Sequence, residues 1–186
     1  MSKSDKIIIL LSKSKLTLLM LSSIMFVGLG LWFLISPPEI NNPIFGNPTL
    51  IFSVGLASTL FFGIMTFFYA KKLPDNKPGL IIDNEGITDN SSGVAAGLIK
   101  WTDLKSISVM KIHRQKLIML FVKNPQSYID RQPSGFKRKI MQMNFNKYET
   151  PLSITANGLK CNFEDLLGLL NKNLENNKNT KAQHSE

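Results

Sequence analysis

The residue types able to do chemistry are few and far apart in this chain. Cys161 is the one cysteine, and the histidines are His113 and His184. A catalytic nucleophile needs a base within hydrogen-bond reach, and Cys161 with His113 is the one Cys/His pair outside the C-terminal tail. A Cys/His zinc site needs a cluster, which this composition does not supply. A lone cysteine makes no intrachain disulfide and fits a reducing compartment. Acids gather once, at Asp83, Glu85, Asp89 and Asp103. A calcium loop needs closely spaced ligands of the D-x-D-x-D-G kind, and these residues lack that spacing, so turn and surface roles are expected for them. Neither standard Gly-rich phosphate loop is present. Cys161 is read as an ordinary residue ahead of a helix cap, His113 as part of a hairpin turn, and Trp101 as a packing residue at a strand end. The expectation is a protein that is not an enzyme, with no catalytic, cofactor-binding or metal-ligating residues.

One stretch stands apart, SGFKRKIMQMNFNKYE, residues 134 to 149. Phe136 and Ile140 bracket Lys137, Arg138 and Lys139, and Met141, Met143, Phe145, Lys147 and Tyr148 follow. Phe136, Ile140 and Met143 recur at steps of four and three, as do Met141, Phe145 and Tyr148, which is helical spacing. An RNA platform needs aromatic rings laid out for stacking among basic residues. Helical spacing instead places these apolar groups on packing faces, so no nucleic-acid partner is expected. Two readings stay open for the segment. It is an interfacial amphipathic helix on anionic lipid, with Phe136, Lys137, Arg138, Lys139, Ile140 and Lys147 at the surface, or a helix packed on its own domain with solvated lysines. The location of the rest of the chain bears on the choice.

The chain has 186 residues, with 22 Lys plus Arg against 13 Asp plus Glu, a net charge of +9. That balance suits anionic partners and also a membrane protein whose cytoplasmic parts follow the positive-inside bias. Residues 16 to 35, LTLLMLSSIMFVGLGLWFLI, carry no charge, and neither do residues 49 to 70, TLIFSVGLASTLFFGIMTFFYA. Each run makes about 30 Å of helix, the thickness of a hydrocarbon core. Transmembrane helices are predicted over 16–36 and 49–70. A cleaved signal peptide is the alternative for the first, but its apolar run exceeds the usual length and LISPPE offers no small-x-small cleavage site.

Lys3, Lys6, Lys13 and Lys15 precede the first span, and Lys71, Lys72 and Lys77 follow the second, whereas the connecting loop has Glu39 and no Lys or Arg. The positive-inside rule therefore places the N-terminus (1–15) and everything after the second span in the cytoplasm, with loop 37–48 outside. Trp32 and Tyr69 lie near span ends, where amphipathic rings favour the interface. Ser22, Ser23, Gly28, Ser53, Gly55, Ala57 and Gly63 are small enough to let the helices pack closely. Neither span carries an ionisable group for an ion or proton path.

After a polar linker at 71–78, residues 79–174 read as one cytoplasmic domain, and 175–186 as a disordered polar tail. GLIID and GITDN flank turn chemistry at Asp83–Gly86. GLIKW, a WTDL turn, KSISVMKIHR and the unbroken apolar run KLIMLFV continue the strands, with His113 to Lys116 as the connection between the last two. PQSYIDR reads as a short helix, TPLSITANGL as a final strand and CNFEDLLGLLNKNL as a helix. Asn162 is its N-cap, Glu164 and Asp165 suit its N-terminal end, and Phe163, Leu166, Leu167, Leu169 and Leu170 form its buried stripe. The fragment from residue 78 to 186 is expected to fold alone. Asn90-Ser91-Ser92 forms a glycosylation sequon, without meaning on the cytoplasmic side.

Several short strands closed by one amphipathic helix, with "IDNEGITDN" leading to "GLIKWTDLKSI", resemble the bacterial pleckstrin-homology-like (PH-like) domain. The layout also resembles an uncharacterised bacterial family with two N-terminal membrane helices, a PH-like start, a segment like NPQSYIDRQPSGFKRKIMQMNFNKYETPLSITANGL and a closing FEDLLGLLNK helix. The resemblance implies a membrane α-helical hairpin plus an α+β domain. That domain would be a PH-like antiparallel β-barrel or sandwich, capped by its C-terminal helix, on the cytoplasmic side of a bacterial inner membrane. Such a domain is a binding platform, but fold alone gives no function. The expected role is a membrane-anchored binding or scaffold module that contacts a protein partner or the lipid surface. The rival reading is a membrane sensor or immunity-type protein acting through the hairpin and its outer loop. No residue pattern specifies an oligomeric state.

Overall fold

The computed structural model describes residues 6–39, 41–42, 46–91, 94–112 and 115–183. The chain divides into two compact units, Lys13–Asp75 and a second unit made from the residues on both sides of it.

The first unit is a pair of helices, α1 (Lys13–Ile35) and α2 (Pro48–Lys72). Both are long and apolar enough to cross a membrane, with mean hydropathies of 2.3 and 2.0. Only 11% of either apolar window is buried, which separates these helices from the core helices of a soluble protein. Leu18, Phe61, Ile64 and Phe67 each expose more than half of their surface. Asn47 caps α2 by accepting from the backbone N–H of Thr49 (2.9 Å), with Pro48 opening the helix, where its missing N–H costs nothing. At the other end the ammonium of Lys13 donates to the carbonyls of Leu73 and Asp75.

The helices meet at glycines. A Cβ on Gly30 would stand 2.9 Å from the Gly55 carbonyl, and one on Gly55 would stand 2.9 Å from that of Gly30. Ser58 donates across the pair to Phe26 O (3.1 Å), and the rings of Phe26 and Phe62 stack at 4.5 Å. Of the expected small contact residues, Ser23 and Gly55 are buried. Gly28 and Gly63 have open space where a Cβ would go. Gly30, the tightest contact, escaped the sequence reading because composition alone does not say which face of an evenly apolar helix turns inward.

The second unit is α+β. A four-stranded antiparallel sheet has the order β1 (Ile7–Ile9), β2 (Leu80–Ile82), β3 (Gly86–Asp89), β4 (Gly97–Lys100). A three-stranded antiparallel sheet has the order β5 (Leu104–Ile112), β6 (Gln115–Val122), β7 (Leu152–Ile154). Between β6 and β7 lie α3 (Pro125–Asp130) and α4 (Gly135–Tyr148), and α5 (Phe163–Gln183) follows. The hairpin β2–β3 closes on Asp83, whose Oδ1 accepts from the N–H groups of Glu85 (3.0 Å) and Gly86 (3.2 Å). A Cβ on Gly86 would lie 2.1 Å from Ile99 O on β4, so only glycine fits there. Leu80, Ile82, Ile87 and Ile99 fill the first sheet's core, and Ile118, Met119 and Leu120 make β6 buried on both faces, as its unbroken apolar run implies.

Three expectations change. First, the N-terminal segment 1–15, read only as a cytoplasmic N-terminus outside the domain of 79–174, supplies a strand to that domain. Ile7–Ile9 pair with Ile82–Leu80, and Leu11 bridges to Leu159. The arm is tied on by Ser12 N–H to Gly158 O (2.8 Å) and Lys160 N–H to Leu10 O (2.9 Å). The three consecutive isoleucines are strong strand formers, and they satisfy an edge of β2 that would otherwise stay open. A fragment beginning at residue 78 therefore lacks a strand. Second, among the described residues no strand of one sheet pairs with a strand of the other, so the sheets do not close into a barrel. Third, α5 does not end near Leu174 but runs on to Gln183. Its asparagines lower propensity, while its Lys and Glu residues are good helix formers, and a helix already nucleated by a packed first half carries on through them.

Candidate functional site

Helix α4 carries the residues the sequence singles out. It begins after Ser134, which makes no side-chain capping bond, and ends at Glu149, whose left-handed backbone (φ 60°) lets its N–H return to Phe145 O (2.8 Å). Thr150, fully buried, then donates its hydroxyl to Leu120 O and fixes the chain against β6. Met141 is buried, and Phe145 and Tyr148 are half-buried. That stripe is the packing face.

The other stripe points away. Phe136 exposes 71% of its surface and Met143 61%, with Ile140 half-buried between them. Arg138, Lys139 and Lys147 are exposed beside this row, and Lys137 is half-buried. Among the described residues no carboxylate lies within ion-pair distance of these four cations. The sequence offered both stripes as apolar faces, and the fold uses one and leaves the other in solvent.

The acids serve local structure. Asp89 is buried, and its Oδ1 accepts from Ser91 N–H (2.8 Å) and Ser91 Oγ (2.6 Å). Asp103 accepts from Tyr128 Oη (2.8 Å) and Thr102 Oγ1 (3.0 Å). Among the described residues no three His, Cys, Asp or Glu side chains come close enough to share a metal. Trp101 is buried and donates its indole N–H to Asp83 O (2.7 Å). Cys161 is half-buried, and His113 lies outside the described residues, as does Ser92 of the sequon.

Sequence reasoning missed the polar cluster around α3. Tyr128 is 2% exposed, and burial first, then its bond to Asp103, pushes its phenol up to about 12. The Arg131 guanidinium lies 4.1 Å from the Tyr128 ring centroid and donates to the carbonyls of Ala96 and Leu98 at β4. No signal in PQSYIDR names partners 25 to 35 residues away.

A shallow groove of about 350 Å³ opens beside β5, lined by Trp101, Leu104, Lys105, Lys123, Leu174 and Lys178, among others. Its floor is apolar and its rim cationic. No protein-family model, curated protein or solved structure matches this chain.

Proposed function

We propose that this chain is a membrane-anchored binding module whose α+β unit works at the cytoplasmic surface of a bacterial inner membrane. In this reading α1 and α2 cross the bilayer. Pairing of β1, which precedes α1, with β2, which follows α2, supports it, because strands on opposite sides of a membrane cannot share a ladder. The lysines at both flanks and their absence from the connecting loop make that shared side the cytoplasm.

The α+β unit is read as PH-like. Four antiparallel strands, then three, then a helix burying Leu166, Leu170 and Leu174 support the reading. The open sheets and the insertion of α3 and α4 between β6 and β7 depart from it.

The observation that carries the function is the outward row of α4, Phe136, Ile140 and Met143, among Lys137, Arg138, Lys139 and Lys147. Apolar side chains gain by leaving water, and each basic group near an anionic surface contributes about 1 kcal/mol. An anionic lipid surface matches both demands. The test places an environment-sensitive probe at Phe136→Cys or Met143→Cys in a Cys161→Ser full-length chain, reconstituted in nanodiscs containing brominated lipid. Quenching should be strong with anionic lipid, weaken with salt, and be slight for a probe at exposed Asn157. Equal quenching at Asn157, or none at Phe136 and Met143, refutes the lipid contact.

A further inference from the structure

The geometry points to a second binding surface, the free edge of β5, as a strand-addition site for an extended, acidic segment of a protein partner. The inference shares with the preceding section only the reading of the chain as a binding module.

β5 has nine residues and stands last in its sheet, with β6 on one side and, among the described residues, no strand on the other. Other edges are short or covered. β1 and β7 have three residues each, and β4 has four, with Arg131 donating to the carbonyls at Ala96 and Leu98. On β5 such cover is confined to one end, among the described residues. Apart from its ladder and its first turn, its backbone is met at one end by Lys178, whose Nζ donates to Lys105 O (3.3 Å). A long row of unpaired N–H and C=O groups is a template for another strand.

The side chains on that edge select the occupant. Val109 is 38% exposed, and Ile107, Met110 and Ile112 are half-buried, which gives an incoming strand apolar neighbours. Lys105, at the bulge that opens the strand, and Lys111, near its far end, are exposed and have no carboxylate partner among the described residues. A second copy paired antiparallel over the whole strand would bring Lys105 of each strand to Lys111 of the other. Like charges set opposite each other destabilise a ladder, so self-pairing is disfavoured and a segment with acids at both ends is favoured. At the Lys105 end the groove beside Trp101 adds Lys123 and Lys178 to the rim, giving a terminal acidic side chain three ammonium groups to meet.

The experiment uses the full chain in nanodiscs of zwitterionic lipid, which removes the charge part of the α4 lipid contact. The probe is a fluorescent nine-residue peptide with a core of alternating threonine and valine and two glutamates at each end, followed by anisotropy. Two comparison peptides carry lysines in place of the glutamates, or N-methylated backbone amides in the core. Saturable binding of the acidic peptide alone is expected, with amide-exchange protection gained on β5. The double variant Lys105→Glu/Lys111→Glu should weaken it about tenfold, two reversed surface charge contacts at the usual strength. No saturable binding of the acidic peptide overturns the proposal, and so does equal binding of the lysine peptide. Undiminished binding of the N-methylated peptide overturns strand addition in favour of charge alone. The comparison peptides decide on the unaltered chain even where the double variant fails to fold.

Discussion

Tyr128 is buried with its hydroxyl on Asp103, 2.8 Å away, and its phenol is pushed up to about 12, first by burial and then by that bond. The fold therefore favours the neutral phenol. An unfolded chain loses the same proton near pH ~10, so this contribution is fully present below about pH 10 and is lost as pH rises through about 12. Chemical denaturation of the full chain in detergent, read by Trp101 fluorescence in a Trp32→Phe background, should show stability falling across that window. Tyr128→Phe should flatten the fall and cost about 1–3 kcal/mol at neutral pH, because half-buried Asp103 loses a donor. An unchanged alkaline slope in the variant would remove Tyr128 from the account. Gly86 offers a second test at this scale. Gly86→Ala puts a methyl 2.1 Å from a backbone oxygen, and the β2–β4 sheet should lose stability well beyond the usual surface substitution.

At the scale of elements, α5 and β1 carry opposite lessons. The stripe of α5 is readable from its leucines, but the sequence does not rank them. Leu166 and Leu170 are fully buried while Leu167 is half-buried, so Leu170→Ala should cost about 2–5 kcal/mol and Leu167→Ala distinctly less. Equal losses would mean the helix packs on a different face. For β1, Leu11 is 3% exposed against Leu159, and Leu11→Ala should fall in the same range as Leu170→Ala. The fragment 78–186 should unfold at lower denaturant than one in which residues 6–12 are joined to residue 76 by a flexible linker. Matching midpoints would show that the arm adds nothing. Between α1 and α2, Gly30→Leu must part the two backbones, and cysteine crosslinking between Phe26 and Phe62 positions should fall.

For the whole molecule, the shared ladder of β1 and β2 means that, on the proposed reading of α1 and α2 as membrane spans, both flanks lie on one side. Reporter fusions after Lys72 and at Asn42 should give opposite sides, cytoplasmic after Lys72. A periplasmic signal after Lys72 would reverse the lysine argument. Loss of β1 through Ile9→Asp should leave that topology intact while destabilising the α+β unit. On the proposed topology, insertion rests on the apolar runs, whereas the sheet rests on the arm.

The sequence by itself determined what depends on composition and short-range pattern. Two uncharged runs can only be long apolar helices. Asp83 to Gly86 can only turn, because Asp83 binds its own backbone two and three residues on. The alternation and unbroken apolar runs after Gly79 give strands, and Asn162 caps α5 through Asp165 N–H (2.8 Å). Only the tertiary structure decided the rest, because it rests on partners distant in the chain. Three isoleucines ahead of a membrane-length helix carry no sign of a partner until a strand more than 70 residues later supplies their ladder. Phe136, Ile140 and Met143 and the stripe of Met141, Phe145 and Tyr148 have the same spacing. Periodicity cannot choose between two such faces, and the choice falls to whichever side packs against the rest of the domain, as Met141, Phe145 and Tyr148 do. The free edge of β5 is likewise invisible in its residues, since an edge is defined by the strand that is not beside it.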